Sequence, residues 1–248
     1  MTAHARLVRA HSHNIGYPVR FERLPTNTTT GAHPVHRWFN FIAGFSPEFV
    51  QACISMCGEN QRNLHILDPF VGCGTASVAA RMLGHASTGY DPHPFFNIIS
   101  KAKANSATYW PKLAQIERTI FESLSEPIQS DRSLSGSAAT FLKKMFLPDV
   151  LNALLGARDA LAQDGLADNP LAFLILSRML DYCCFAATDG IYKAPSSTKK
   201  ALAAKEALSR VMSVLNADHL EAMRCDENIT IIHNSSENMP ELEDECVD

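Results

Sequence analysis

The 248-residue chain reads as an α/β protein that opens a doubly wound sheet and then leaves it for a long helical insertion. Two short apolar runs, "LHILD" (64–68) and "ASTGYD" (86–91), each end in a carboxylate. A turn with two glycines follows the first run, and helical spacing follows both. Strand, tight glycine turn, helix, strand, acid and helix in that order is how such sheets begin.

Residues 1–44 are rich in His, Pro, Thr and Asn and read as an N-terminal arm or irregular lead-in. "FSPEFVQACISMC" then starts a helix, with Ser46 as N-cap, Pro47 at the first helical position and Glu48 at the positive end of the dipole. "LHILD" is a buried strand. "TASVAARMLG" (75–84) has helical spacing and stops at Gly84, a C-terminal cap. "ASTGYD" is the second strand and "PFFNIISKAKAN" (94–105) the second helix of the alternation. The Rossmann-like part thus spans 45–105. From 106 to 226 the patterns are helical throughout, and a strand returns at "NITIIHN" (228–234), so 106–226 reads as an insertion and 227–248 as the sheet resumed.

Composition bounds the function. A hydrophobic content of 46% with 19% charged residues is that of a soluble globular protein, and no apolar run approaches a membrane span. The N-terminus lacks the apolar core of a secretory signal. Seven cysteines without paired short spacings suit reduced thiols in a cytoplasm. A formal charge of −4 argues against a strongly basic nucleic-acid binder while leaving room for a local patch.

The turn "ILDPFVGCGT" (66–75) carries the chemistry. Its glycines let backbone approach a ligand closely, and the helix start offers free N–H groups. A phosphate-cradling loop of the Walker type needs a Lys after the second glycine, which is absent here. A dinucleotide fingerprint wants a third Gly or Ala, where this chain has Ser77. The third class is S-adenosyl-L-methionine, whose ammonium and ribose diol suit acids at adjacent strand ends: Asp68 near the ammonium, Asp91 accepting from the ribose hydroxyls.

"LDPFVGCGT" with "GYDPHP" about fifteen residues later resembles the cofactor-binding half of the amino-methylating DNA methyltransferases, which act on adenine N6 or cytosine N4. The resemblance covers about 33–105 and 228–248, and implies a Rossmann-like AdoMet-dependent methyltransferase fold with DNA as partner. It places Asp68, Pro69, Phe70, Gly72, Gly74 and Thr75 in the cofactor loop, and Asp91 with Pro92 at the ribose. "HRWFNFIAGFSPEFV" is similar to the family's upstream cofactor motif, which puts Phe45 and Ser46 beside the ligand. "ITIIHNSSENMPEL" resembles the third-strand motif, with Ser235 where the family carries an Asp. The loop form is shared with related RNA guanine methyltransferases, a second enzymatic reading. A non-catalytic cofactor-binding subunit or remnant is a third.

The family's catalytic segment, a polar residue followed by Pro-Pro and an aromatic, occurs nowhere in these residues. It holds the target amino group and stacks the flipped base. In relatives it ends the fourth strand, which opens much as "ECVD" does at 245–248. The expectation is therefore an incomplete sheet whose first strand is an edge and one of whose faces is uncovered. A second polypeptide carrying the fourth strand and the catalytic motif is an expected partner.

Other features carry less. His11, His13, His33 and His36 read as a solvated arm in preference to a metal cluster. Cys53 and Cys57 lie one helical turn apart with no second pair to complete a metal site. "TDGIYKAPSSTKK" (188–200) reads equally as a connector between helices or as a substrate-contacting loop with Lys193, Lys199 and Lys200 facing phosphates.

Overall fold

A computed structural model of the chain describes residues 27–39, 41, 44–57, 63–125, 134, 136–188, 193–224 and 228–248. In chain order the helices are α1 (Pro47–Cys57), α2 (Thr75–Leu83), α3 (Pro94–Ala104), α4 (Ser106–Tyr109), α5 (Leu113–Ser125), α6 (Gly136–Leu142), α7 (Pro148–Gln163), α8 (Pro170–Cys183), α9 (Ala204–Ala217) and α10 (His219–Ala222). The strands are β1 (His65–Asp68), β2 (Ala86–Tyr90), β3 (Ala186–Thr188), β4 (Lys193–Thr198) and β5 (Ile229–Ile232). Packing divides them into two units: the described residues up to Asn105 together with Arg224–Asp248, and Ser106–Met223.

The first unit is a mixed α/β layer around a parallel three-stranded sheet in the order β1-β2-β5. Asp68 lies opposite Gly89, and Tyr90 opposite Ile232, so the strands end at nearly one level. Local chemistry sets each helix. Ser46 accepts the Phe49 N–H at 3.2 Å through its hydroxyl and so caps α1. Gly84 ends α2 in the left-handed conformation (φ 79°), with Gly84 N–H on the Arg81 carbonyl and His85 N–H on the Ala80 carbonyl. His93 caps α3 by accepting the Phe95 N–H on Nδ1 at 3.2 Å, and Pro94 follows at the first helical position. Val50 and Ile54 of α1 close over Leu64, Ala76, Ala79 and Ala80 as one apolar cluster. A fully buried side chain of this size contributes about 1.5–3 kcal/mol.

Alternation along β2 sorts the two faces of the sheet. Ser87 meets Ser77 of α2 hydroxyl to hydroxyl at 3.0 Å, and Gly89 lies under Val71. Thr88 and Tyr90 face the other way. There His65 bridges, its Nδ1 donating to the Cys246 carbonyl at 2.8 Å while Nε2 accepts from the Thr88 hydroxyl at 2.8 Å. The Tyr90 hydroxyl donates to Glu241 at 3.0 Å, and burial, then the Glu241 hydrogen bond, push its pKa up to about 12. The second face is thus not the bare apolar surface expected from sequence: it is polar where residues 241–248 cover it, and Tyr90 is fully buried there. β1 is the outer strand of the described sheet. Asp248 lies along its start, its N–H donating to the His65 carbonyl at 3.0 Å and its carboxylate accepting the His65 N–H at 2.8 Å.

Two further expectations are corrected. Within the supposed arm, residues 27–32 and 36–38 form short 3-10 helices, and Val35, His36 and Trp38 are buried. His33 is no free ligand either, since its Nε2 pairs with Glu48 of α1 at 2.7 Å, which fastens this segment to the unit. His11 and His13 lie outside the described residues. The stretch 106–226, read as wholly helical, contains the antiparallel hairpin β3–β4, with a bulge between Ala186 and Ala187. The other described elements of this second unit are helices. Thr119 of α5 donates to Asp164 at the end of α7 at 2.6 Å, Asn169 caps α8 by accepting the Leu171 and Ala172 N–H groups, and Ser106 donates to the Ala222 carbonyl at 2.8 Å. Among the described residues no helix is long and apolar enough to cross a membrane.

Candidate ligand site at the strand ends

The carboxyl ends of β1 and β2 are where an open parallel sheet presents a crevice. Asp68 ends β1, half-buried, and one of its oxygens accepts the Phe70 N–H at 3.1 Å, folding 68–70 into a tight turn around Pro69. Phe70 is thrown outward and is 76% exposed. Val71 N–H then donates to the Tyr90 carbonyl at 2.9 Å, carrying the loop across to β2. Gly72 (φ 49°) donates its N–H to Asp91 at 3.0 Å, and Gly74 (φ 83°) donates to the Val71 carbonyl at 2.8 Å before α2 begins. The other Asp91 oxygen accepts the His93 N–H at 2.8 Å. One buried carboxylate therefore holds the glycine turn and the start of α3 together.

The two glycines differ. A Cβ on Gly72 would meet nothing nearer than the Phe70 carbonyl at 3.8 Å, so the space beside it is open. A Cβ on Gly74 would stand 3.1 Å from the Cβ and 3.2 Å from the Cα of Ser100, so Gly74 is where α2 and α3 approach. The left-handed backbone at both suits glycine. Among the described residues no side chain caps α2, and its first N–H groups have no side-chain acceptor there.

Electrostatics favour a cation here. Burial pushes the Asp68 carboxyl up, the Phe70 N–H pulls it down, and the Asp91 charge pushes it up again, with a net rise above the ordinary aspartate range. A positive ligand group beside Asp68 would relieve both the burial and the like charge. Beneath the turn, Lys103 is buried near Cys73 and donates to the Phe39 carbonyl at 3.3 Å. Burial lowers its pKa, and Cys73 offsets part of that.

The structure brings Asp68, Pro69, Phe70, Gly72, Gly74, Thr75, Asp91 and Pro92 to one rim of the sheet. Ser46 and Phe45 lie close by: a Cβ on Gly44 would sit 3.9 Å from the Thr75 hydroxyl. Phe45 is exposed and packs on Phe49 with ring centroids 5.5 Å apart. Pro92 offers its carbonyl to His233 Nε2 at 3.0 Å, which ties the end of β2 to that of β5. Ser235 follows β5 on the same rim, but its hydroxyl is engaged locally, accepting the Glu237 N–H at 3.2 Å. Lys199 and Lys200 belong to the other unit, where Lys199 Nζ donates to the Asp181 carbonyl at 3.0 Å and Lys200 is exposed. Lys193 opens β4, and its side chain lies outside the described residues.

Three features escaped the sequence reading. Gly89 is one: a Cβ there would come within 2.6 Å of Val71 Cγ2. His93 as the cap of α3 is another. The third is an aromatic group around it, with Phe95 on Phe39 (5.4 Å) and Phe96 on Phe41 (4.7 Å) and on His93 (5.2 Å). The doublet "FF" after "DPHP" was the available signal.

Paired acids at the ends of neighbouring parallel strands, joined by a glycine turn, form the rim of the described sheet. Over 88 residues, 36% of this chain, the sequence is 38% identical to the Type II methyltransferase M.BsoBI of Geobacillus stearothermophilus. The matched segment spans 17% of that protein's length, and the similarity supports a methyltransferase family for the chain. No protein-family model and no solved structure matches it.

Proposed function

We propose that the chain is the cofactor-binding part of an S-adenosyl-L-methionine-dependent methyltransferase, Rossmann-like in fold, acting on an exocyclic amino group of adenine or cytosine in DNA. The observation that carries this is the Asp68–Gly72–Asp91 arrangement: two acids at adjacent strand ends, the second accepting the N–H of the glycine between them. The similarity to a Type II methyltransferase supports the choice of methyl transfer as the reaction; the choice of DNA rests on the resemblance of the loop motif.

The residues present fit the cofactor. Asp68, with its raised proton affinity, suits the ammonium of the methionine moiety. Asp91 keeps acceptor capacity on each oxygen beyond the Gly72 and His93 bonds, which suits the ribose hydroxyls. Gly72 leaves open space for the ligand, and Thr75 starts a helix whose first N–H groups no side chain caps. Pro69, Phe70, Gly74 and Pro92 shape the loop, while Phe45, Ser46 and Ser235 border it. When bound, S-adenosylmethionine supplies the electrophilic methyl group. The chain's own contribution is alignment and charge placement.

The Pro-Pro-aromatic segment that would hold the target base is not among these 248 residues. In this reading it belongs on a strand beside β1, in the same polypeptide or a second one. Asp248 already pairs with His65 along that edge. On the helical unit, Lys193, Lys199 and Lys200 are proposed to meet DNA phosphates.

Calorimetry on the full chain tests the proposal. S-adenosylmethionine or its demethylated product should bind with one site, and NAD should not. A folded sample that prefers NAD, or that binds neither, overturns it.

A further inference from the structure

The helical unit carries a cationic surface organised around one tyrosine. Two guanidiniums lie over the Tyr182 ring, Arg178 at 4.7 Å and Arg210 at 5.0 Å from its centroid. Arg178 is fixed further, donating to the Asp181 carboxylate at 3.1 Å and to the Tyr182 hydroxyl at 3.0 Å. Just beyond β4, Lys199 donates its backbone N–H to the Phe185 carbonyl at 2.7 Å and its Nζ to the Asp181 carbonyl at 3.0 Å. Leu202 N–H donates to the Tyr182 carbonyl at 3.0 Å, so exposed Lys200 is held between two anchors at the end of α8.

Four cations therefore gather at one place in a chain whose formal charge is −4. The acid paired with them among the described residues is Asp181, and Arg178 and Lys199 share it at 3.1 and 3.8 Å. Arg210 and Lys200 remain exposed. Gathering like charges costs free energy, and a polyanion relieves that cost. The ring and the carbonyl anchors also order these side chains in advance, which lowers the entropy lost on binding. Guanidiniums suit phosphate oxygens through their planar donor fork. The cations come from the latter half of α8, the middle of α9 and the exit of β4, with Arg210, Lys199 and Lys200 exposed, which suits a repeating backbone better than one enclosed phosphate.

We infer that the Arg178–Tyr182–Arg210 surface, with Lys199 and Lys200, binds the phosphodiester backbone of duplex DNA. The proposed DNA methylation supplies the choice of probe; the surface itself stands on its own geometry. It adds the two arginines and their tyrosine platform to the lysines of the hairpin exit.

The test is fluorescence anisotropy of a labelled DNA duplex with the full chain across a salt series. The variant Lys200→Gln/Arg210→Gln is compared with Lys143→Gln/Lys144→Gln, which removes the same charge from exposed sites elsewhere in the unit. The first should weaken binding at least tenfold near 0.1 M salt and flatten the log–log salt slope by about 2, at about 0.9 per lost phosphate contact. The second should leave the slope near that of the unaltered chain. An unchanged slope in the first variant, an equal loss in the second, or no duplex binding by the unaltered chain overturns the inference. S-adenosylmethionine calorimetry on the same samples keeps the readings apart: cofactor binding without a mapped slope change sinks the surface alone, and the reverse sinks the cofactor reading alone.

Discussion

The Gly72 N–H and the Asp91 carboxylate meet at 3.0 Å across 19 residues of sequence. With the second Asp91 oxygen on the His93 N–H, a single side chain joins the loop after β1 to the helix after β2. A strand-end acid would be needed for a ligand alone. Here it also closes the rim on which that ligand would rest, so binding and local stability are coupled through one group.

Replacing Asp91 by Ala should therefore do two things. The Gly72 and His93 N–H groups lose a charged, part-buried acceptor, and the fold should weaken by about 1–3 kcal/mol in urea denaturation. S-adenosylmethionine binding should weaken by a similar amount, beyond what unfolding explains, when measured well below the denaturation midpoint. Unaltered stability would show that the Gly72 and His93 bonds contribute nothing net. Unaltered affinity would remove Asp91 from the ligand site.

The two glycines of the turn should separate in their effects. Gly74→Ala sets a Cβ 3.1 Å from the Ser100 Cβ at φ 83°, so both sterics and backbone oppose it. A loss of about 2–3 kcal/mol in stability is expected. Gly72→Ala meets open space at φ 49° and should cost about 1 kcal/mol, from the left-handed backbone alone. Its methyl, however, would project where a ligand approaches, so cofactor affinity should fall more than stability does. Equal effects of the two substitutions on stability, or full affinity in Gly72→Ala, would contradict this division.

The parts legible in the sequence were those governed by local rules. "LHILD" and "ASTGYD" declare themselves because an apolar run meets an acid and then a turn, and Ser46, Pro47 and Gly84 mark helix ends by their own backbone preferences. The hairpin β3–β4 was hidden because Pro195 and the polar residues around it suppress a strand signal. A two-stranded ribbon has only edges, where proline is tolerated. Burial of His36 and Trp38 was hidden because 3-10 turns carry no long periodicity, although Val35 and Trp38 at a three-residue spacing hinted at a packed face. The second role of Asp91 was invisible for a different reason: its bond to Gly72 is a tertiary contact that neither residue's neighbours encode.

Asp68 gives a pH dependence to ligand binding. Burial, and then the Asp91 charge, hold its carboxyl above the ordinary aspartate range, against the pull of the Phe70 N–H. The form that attracts an ammonium is the ionised one. Affinity for S-adenosylmethionine should rise with pH through the raised Asp68 value, above the usual aspartate pKa of about 4, and then level off. Asp68→Asn should bind more weakly at neutral pH and show a flatter profile over that range. Calorimetric titrations from acid to neutral pH check this, and parallel profiles for the two proteins would rule it out.

His36 gives a pH dependence to stability. It is fully buried, and neither ring nitrogen has a hydrogen-bond partner among the described residues. Burial, then the nearby charges of Lys103, His33 and Arg81, lower its pKa well below the ordinary histidine value. The sign follows directly. Below about pH 6.5 the unfolded chain takes up a proton at this position while the folded chain does not, so stability must fall as pH drops through that window. One such proton contributes up to about 1.4 kcal/mol per pH unit. His36→Leu keeps an apolar filling of the site and removes the titration, so its urea midpoint should fall less than that of the unaltered chain between pH 7 and 5.5. At pH 7 the variant should lose little, because two unpaired buried nitrogens disappear with the ring. Midpoint curves that run parallel across the range would mean that His36 does not set the acid sensitivity. A large loss at pH 7 would mean that the ring has a partner that the leucine cannot replace.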